Sequence, residues 1–531
     1  MMTRTTSSSP QHVRIRLSIF LLTLLAAAVS GCAVNPVTGK NELALVSQAQ
    51  EIQVGEQQYG LLRQMSGGDY VVNPEISEYV QDVGNRLAQA SRRQLPYEFV
   101  VINDSTPNAW ALPGGKIAIH RDLLTELNSE AELAAVMGHE IVHADARHGA
   151  QAMQRGMLLQ GAAVAAAVTA EQSDYGSLLM TAAGVGLQLI NQRYGRDAER
   201  ESDRYGMLYM AEAGYNPAAA VELQETFLRL SEGRPSDWLS GLFASHPPSA
   251  ERVQNNRETL AELNISGGEF GRERYRAVMA PLTAAKAAYA AHDRGRAALV
   301  KGDTAAALAA AREALAIEPR EAHFHSLRGD VRAAQGRWSD ALINYNRAVT
   351  RNSAYFYPLM RRGLVHQRLQ DNAAAAVDLE RSIDLLPSAP ALNALGEIRL
   401  AGGQRADALE LFRAAAKSDS PSGRAAADSL VRLELPEKPY LYLKLAIGRN
   451  AAGQLAMEIS NPTSVDVEMT QLAFQFRDAG GNVRESSRAV RQTLPAGQRI
   501  VATLNPTWIG GVRDPQQVRG GVTAAKIVQS R

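Results

Sequence analysis

The stretch that decides the fold of the first half of the chain is HEIVH at positions 139–143, inside an apolar run at 131–144. Apolar side chains recur in this run at helical spacing, so the sequence predicts a buried helix. His139 and His143 are one helical turn apart and share a face, which lets both imidazoles bind a single zinc ion. Glu140, about 100° further round, would lie where it can take a proton from the attacking water. Because a buried helix can also carry two hydrogen-bonded histidines, a third ligand is needed to decide.

Glu199 is the best candidate for the third ligand. A third histidine six residues after the second is excluded, because position 149 is glycine and His148 would point roughly 140° away from His143 on a continuing helix. Glu199 and Asp203 share a helical face, so Glu199 can bind the metal while Asp203 orients a ligand histidine. Alternating charges are more often a solvated helix face. Here they follow an apolar segment and supply the ligand that the HExxH motif lacks.

These motifs, together with the segment NAWALPGG at 108–115, resemble the gluzincin zinc metalloproteases of the HtpX and Ste24-like superfamily, and especially its soluble, periplasmic BepA-like branch. The resemblance extends over about residues 35–252. It implies that His139, His143 and Glu199 bind one zinc ion and that Glu140 is the general base. It also implies an α+β, mostly helical zincin protease domain, which we expect at residues 32–275.

The segment Asn108, Ala109, Trp110 and Ala111 is predicted to begin an edge hairpin that turns at Pro-Gly-Gly, positions 113–115. If this edge borders the zinc helix, it can hold an extended substrate by strand addition. A purely structural hairpin is the alternative.

His246 precedes two prolines in the segment SHPPS at 245–249, a rigid loop that is a poor place for a core histidine. BepA-like enzymes carry a similar segment near the active site. We expect His246 to approach the zinc ion, either as a fourth ligand that blocks the water position or as a catalytic group that stabilises the oxyanion. Tyr194 and Arg252 are the other oxyanion candidates.

The N-terminus has the pattern of a secretory signal. Arginines precede an apolar run at 17–29 that is too short for a typical membrane span, and the run ends in VSGC at 29–32. This ending resembles a bacterial lipobox. We therefore expect a signal peptide at 1–31 and a lipid anchor at Cys32, the only cysteine. Alanine at position 33 favours the outer membrane of a diderm bacterium, with the protein facing the periplasm.

The second half of the chain predicts two further domains. Gly295, Gly329, Gly363 and Gly396 recur about every 34 residues, in phase with small residues further along each unit. This period is typical of tetratricopeptide repeats, an all-α solenoid that we place at residues 282–418, four repeats in all. Its groove is predicted to bind protein or peptide partners, with a rigid spacer as the alternative. Strand-like alternation then predicts an all-β sandwich at 436–531, for docking or support.

Between the two metal motifs lie apolar segments at 157–170 and 178–190, each too short to cross a bilayer. We predict a helical hairpin packed over the catalytic helix; a surface that dips into the membrane is the alternative. The overall charge is balanced, with 56 basic and 55 acidic residues, so composition offers no argument for nucleic acid as a partner.

The sequence therefore predicts a lipid-anchored periplasmic zinc endopeptidase that cleaves misfolded or misassembled envelope proteins and uses its repeats to engage clients or partners. One alternative is a chaperone or assembly scaffold whose latent, self-inhibited metal site is closed by His246. Another is an adaptor with a structural zinc ion. Glu140 argues against the adaptor, because a structural site needs no base there.

Overall fold

The computed structural model of the chain describes residues 32–164, 194–231, 246–478 and 480–528. The chain divides into two compact units, one of residues up to 365 with 384–386 and one of residues 366–383 with 387–531. The predicted signal peptide and most of the predicted hairpin at 157–170 and 178–190 lie outside the described residues. No helix in the described ranges is both long enough and apolar enough to span a membrane.

The first unit combines small sheets with helices. Before the repeats its elements are β1 (Cys32–Val34), β2 (Asn41–Leu43), α1 (Gln48–Met65), α2 (Pro74–Ala88), β3 (Glu98–Ile102), β4 (Ala109–Leu112), β5 (Lys116–His120), α3 (Arg121–Leu124), α4 (Glu130–Asp145), α5 (His148–Val164), α6 (Arg196–Glu212), α7 (Ala218–Ser231) and α8 (Ala250–Leu263).

A three-stranded sheet lies between α1 and α4. Its order is β3-β5-β4, with β3 parallel and β4 antiparallel to β5. Ile117 and Ile119 join the main core, while Trp110 packs on the opposite face with residues of α1. The predicted hairpin is confirmed, and its turn uses Gly114 and Gly115 at φ 85° and 86°, a backbone conformation that glycine adopts without steric cost. The sheet therefore packs along one side of α4.

Helix α4 carries the HExxH motif through the interior of the unit. All of its residues are buried, and Ser129 caps its N-terminus by accepting a hydrogen bond of 3.1 Å from the backbone N–H of Glu132. Helix α6 crosses α4 at Gly206 and Gly138. A Cβ added to Gly138 would lie 3.2 Å from the carbonyl oxygen of Gly206, so larger residues at this crossing would push the helices apart. This close crossing brings the acidic residues of α6 next to the histidines of α4.

The repeat region consists of helices that pair along the chain. They are α9 (Arg272–Val300), α10 (Thr304–Ile317), α11 (Ala322–Ala334), α12 (Trp338–Arg351), α13 (Phe356–Arg368), α14 (Asn372–Leu385), α15 (Ala389–Ala401), α16 (Arg405–Ala415) and α17 (Pro421–Glu434). The periodic glycines lie in the first helix of each pair. A Cβ on Gly329 would lie 2.6 Å from the ring of Tyr345, and one on Gly396 would lie 2.7 Å from Phe412. The period therefore reflects close helix packing, as predicted.

His325 in α11 makes the stability of the repeats depend on pH. Its Nε2 lies 2.9 Å from the carbonyl oxygen of Pro319, while its Nδ1 is buried and has no hydrogen-bond partner among the residues that the structure describes. Burial, reinforced by the charges of Arg351 and Arg328, lowers the pKa of His325 to about 4. Between about pH 6.5 and 4 the unfolded chain therefore binds a proton that the folded chain does not, and stability falls as the pH falls. We expect His325→Gln to reduce the loss of thermal stability between pH 7 and pH 5, measured as the unfolding midpoint. An identical pH dependence in the variant would contradict this assignment.

The second unit ends in the predicted all-β domain, which follows the short helix α18 (Pro439–Tyr442). Its strands are β6 (Lys444–Arg449), β7 (Leu455–Ser460), β8 (Val467–Arg477), β9 (Val483–Leu494), β10 (Arg499–Thr503) and β11 (Val518–Ile527). They form two antiparallel sheets, ordered β10-β7-β6 and β11-β8-β9, around one apolar core. In β8 the pairing register shifts between Met469 and Gln471, so the buried phase moves from Met469 to Leu472.

Candidate metal centre

Four side chains from three segments converge beside α4. The ligand atoms of His139, His143, Glu199 and His246 all lie within 4.8 Å of one another. The Nε2 atoms of His139 and His143 are 3.0 Å apart, and Nε2 of His143 is 3.5 Å from Oε1 of Glu199. Nδ1 of His246 is 2.9 Å from Oε1 of Glu199 and 3.3 Å from Nε2 of His139. The residues predicted for the metal therefore meet at one point.

This donor set fits a zinc ion. Tetrahedral zinc with ligand bonds of about 2.0–2.1 Å has ligand atoms roughly 3.3 Å apart, close to the distances found here. Oε2 of Glu199 is fully buried, and its near neighbours among the described residues include Nη1 of Arg252 at 3.1 Å. Two imidazoles and a carboxylate are also the ligand types that zinc prefers at catalytic sites. His139, His143 and Glu199 can hold the ion, and His246 lies at the distance of a fourth ligand.

Asp203 and Arg252 support the ligands from behind. Oδ1 of Asp203 lies 2.9 Å from Nδ1 of His139, which turns Nε2 of that ring toward the centre. Arg252 donates from Nε and Nη2 to the two oxygens of Asp203 at 2.9 and 2.7 Å, and its Nη1 is 3.1 Å from Oε2 of Glu199. Burial opposes ionisation of Asp203, but Arg252 and His139 outweigh it and lower the pKa of that carboxyl. The guanidinium of Arg252 thus forms ion pairs with both Asp203 and Glu199.

Burial and neighbouring charges shift the pKa values of Glu199, His246 and Glu140. Burial opposes ionisation of Glu199, yet His246 and His143 lower its pKa well below the ordinary value. Burial disfavours the charged form of His246, but Glu199 and Glu140 raise its pKa. Burial also raises the pKa of Glu140. The centre therefore contains one strongly acidic carboxylate and one carboxylate of increased basicity.

Glu140 and Tyr194 flank the cluster. Oε1 of Glu140 is 3.7 Å from Nε2 of His246, so the carboxylate faces the same space as the ligands. The ring of Tyr194 packs against His143 with centroids 4.1 Å apart. A cleft of about 360 Å³ opens beside Glu199 and is lined by Tyr194, Pro247 and Arg200, among others. Among the described residues, this cleft therefore borders the centre at Glu199.

Strand β4, which contains three of the four predicted substrate residues, lies at the edge of the sheet and packs against α4. Ala109 pairs with Ile119, and the carbonyl oxygen of Asn108 accepts a hydrogen bond of 2.8 Å from the N–H of His120. Within the described ranges β4 pairs with β5 alone. All four residues of β4 are buried, so substrate pairing along this strand stays a prediction.

The prediction that His148 points away from His143 is wrong. His148 was expected to point away from His143 on a continuing helix, but α4 ends at Asp145 and α5 begins at His148. Arg147 between them has φ 62°. The chain turns there, and Nδ1 of His148 comes to lie 2.9 Å from Nδ1 of His143. No glycine or proline marks this break, so no helix-stop signal predicted it.

Comparison with known proteins supports both the metalloprotease site and the helical repeats. A model of peptidase family M48 matches residues 74–260, and a tetratricopeptide-repeat model matches residues 292–355 and 360–423, which confirms the predicted repeats. The beta-barrel assembly-enhancing protease of Escherichia coli is 30% identical over 237 residues, covering 43% of this chain and 47% of that protein. The mitochondrial metalloendopeptidase OMA1 of Schizosaccharomyces pombe is 34% identical over 189 residues, covering 35% and 54%.

The chain thus spans about half the length of these two relatives. It covers much more of a third relative, the metalloprotease LoiP of Escherichia coli, which is 30% identical over 194 residues. That match covers 36% of this chain and 74% of LoiP. Together with the family match over α2 to α8, this similarity shows that the chain belongs to peptidase family M48.

Proposed function

We propose that the chain is a periplasmic zinc-dependent endopeptidase. The observation that carries this proposal is the convergence of His139, His143 and Glu199 with the buried carboxylate of Glu140 beside them. Three protein ligands and an adjacent base are what a hydrolytic zinc site requires. Membership of peptidase family M48 supports the same reaction class.

His139, His143 and Glu199 would hold the ion, and Glu140 would act as the general base. A bound zinc ion supplies Lewis acidity to the scissile carbonyl and to the attacking water. Glu140 takes the proton of that water and delivers it to the leaving amine, so no covalent intermediate is required. The burial that raises the pKa of Glu140 makes it a better proton acceptor near neutral pH. Asp203 keeps His139 in the ligand orientation through the contact of 2.9 Å.

The substrate would bind as an extended strand along β4. Backbone pairing with Asn108 to Ala111 would hold a peptide with little demand on its side chains, which suits an enzyme that acts on unfolded protein. For the oxyanion, Tyr194 is favoured over Arg252, because Arg252 is already bonded to Asp203. The ring of Tyr194 lies against His143, with centroids 4.1 Å apart.

His246 would keep the enzyme latent. Its Nδ1 lies 2.9 Å from Oε1 of Glu199 and 3.3 Å from Nε2 of His139, which suits a fourth ligand. A catalytic zinc ion needs one open position, and a fourth protein ligand closes it. We therefore favour inhibition over the alternative that His246 stabilises the oxyanion.

The biological role rests on the resemblance to BepA-like proteases and on the repeats. We propose a signal peptide at 1–31, a lipid on Cys32 that holds the protein to the outer membrane, a protease domain at 32–275, repeats at 282–418 and a β domain at 436–531. Misfolded or misassembled envelope proteins would be the substrates, and the repeat groove would bind clients or partners. The alternative is a chaperone or assembly scaffold with a metal site that stays closed, which the fourth-ligand position of His246 favours.

Removal of the metal tests the reaction class. Treatment with a chelator is expected to abolish cleavage of unfolded casein, and one equivalent of zinc should restore it. Magnesium should not, because it prefers octahedral oxygen ligands over imidazoles. Zinc content is measured by elemental analysis, and cleavage by release of labelled peptides, for the wild type and for His246→Ala. Cleavage at an unchanged rate by metal-free protein would contradict the proposal.

A further inference from the structure

The helix is interrupted between α4 and α5 at Arg147, a residue type that does not favour the left-handed conformation found there. Arg147 has φ 62°, in the left-handed region that is unfavourable for residues with a Cβ. Its guanidinium is held by Oε1 of Glu51 at 2.7 Å and by the carbonyl oxygen of Val46. Glu51 is itself fully buried and forms a second ion pair of 2.9 Å with Arg93. A buried cluster thus stabilises the break in the helix.

The break changes where His148 lies. Five residues along a continuous helix would put His148 about 140° away from His143. Instead the two rings are 4.9 Å apart with an interplanar angle of 71°, and their Nδ1 atoms are 2.9 Å apart. His148 is buried, with 5% of its surface exposed. The contact is therefore an internal hydrogen bond behind a metal ligand.

The protons of this contact follow from the ligand geometry. His143 presents Nε2 to the cluster, so that nitrogen must be unprotonated for metal binding and the ring proton lies on Nδ1. Nδ1–H of His143 then donates to Nδ1 of His148. The proton of His148 is left on Nε2, which is 3.6 Å from Oε1 of Glu201. That oxygen is buried, and no described residue lies within normal hydrogen-bond distance of it.

We propose that His148, backed by Glu201, is a positioning residue that fixes the tautomer and ring orientation of His143. This inference rests on the proposed zinc site. Helix α6 would then support all three ligands: Glu199 binds directly, Asp203 orients His139, and Glu201 orients His143 through His148. Removing such an outer partner weakens metal affinity by about 10–100-fold.

The test measures zinc affinity of the full chain by competition with a chromophoric chelator. We expect His148→Ala to bind zinc about 10–100-fold more weakly than the wild type. His148→Asn should restore most of that affinity, because its amide oxygen stands near the position of Nδ1. Glu201→Gln should also bind zinc more weakly than the wild type, because the partner of His148 loses its charge. His366→Ala, in the repeats, is the matched control and should bind zinc as the wild type does.

Nuclear magnetic resonance provides a second readout. The Nδ1–H proton of His143 in the zinc-loaded wild type should give a low-field signal that His148→Ala loses and His148→Asn keeps. A folded His148→Ala chain with zinc affinity within about twofold of the wild type overturns the proposal. If His148→Ala does not fold, unchanged affinity in Glu201→Gln overturns it instead. If the chain binds zinc tightly but does not cut even as His246→Ala, only the proposed function fails, whereas a wild type that binds no zinc overturns both.

Discussion

Replacement of Glu140 by glutamine is expected to lower the rate of casein cleavage by about 10²–10⁴-fold while the chain still binds one zinc ion. Glutamine has nearly the same shape, so the packing inside α4 is preserved, but its amide cannot accept the proton of the attacking water. Glu140 is not among the converging ligand atoms, so zinc content should not change. The measurement is zinc per chain together with the initial rate of peptide release, for both forms in parallel.

Glu132→Gln is the matched control for this substitution. Glu132 lies two helical turns earlier in α4, is equally buried, and accepts hydrogen bonds from Asn128 instead of facing the metal centre. We expect it to retain zinc and cleavage, with only a loss of stability. If Glu140→Gln cut casein as fast as the wild type, Glu140 would not be the base and the peptidase mechanism proposed here would be wrong. If neither the wild type nor Glu140→Gln cut casein, these two forms must be compared again in the His246→Ala background.

The main features of the site were predictable because they depend on local periodicity. Histidines four residues apart on one helix must share a face, whatever the rest of the fold does. The same rule places Glu199 and Asp203 together on α6. Periodicity alone does not predict that α4 and α6 cross. That crossing depends on Gly138 and Gly206, whose role as contact points is visible only when both helices are packed.

The contacts that sequence reasoning missed arise from tertiary interactions. Arg147 adopts a left-handed conformation because Glu51, almost a hundred residues earlier, binds its guanidinium. No local pattern encodes that interaction, so the helix was extended past Asp145 and His148 was directed away from the centre. Likewise Arg252 was considered for the oxyanion, and only the structure places its guanidinium on Asp203. Long-range ion pairs of buried residues are the feature that sequence periodicity does not contain.

Replacement of His246 by alanine is expected to raise the rate of casein cleavage by about tenfold or more. If His246 closes the fourth position in about 90% or more of molecules, at most about 10% are open. Removing His246 would open nearly all of them, which increases the open fraction about tenfold or more. Three ligands remain, which is the usual number at a catalytic zinc site, so zinc content should stay at one per chain. The rate is measured on the same unfolded substrate, with zinc content determined on the same samples.

The opposite result would have an equally clear meaning. If His246 instead stabilises the oxyanion, its loss should lower the rate by about 10²–10³-fold, and an unchanged rate would reject both roles. The double variant Glu140→Gln with His246→Ala must be inactive, because any remaining cleavage would come from a contaminating protease. A silent His246→Ala chain that still binds zinc would favour the scaffold. In either case the outcome depends on the contacts of 2.9 and 3.3 Å that bring Nδ1 of His246 to Glu199 and His139.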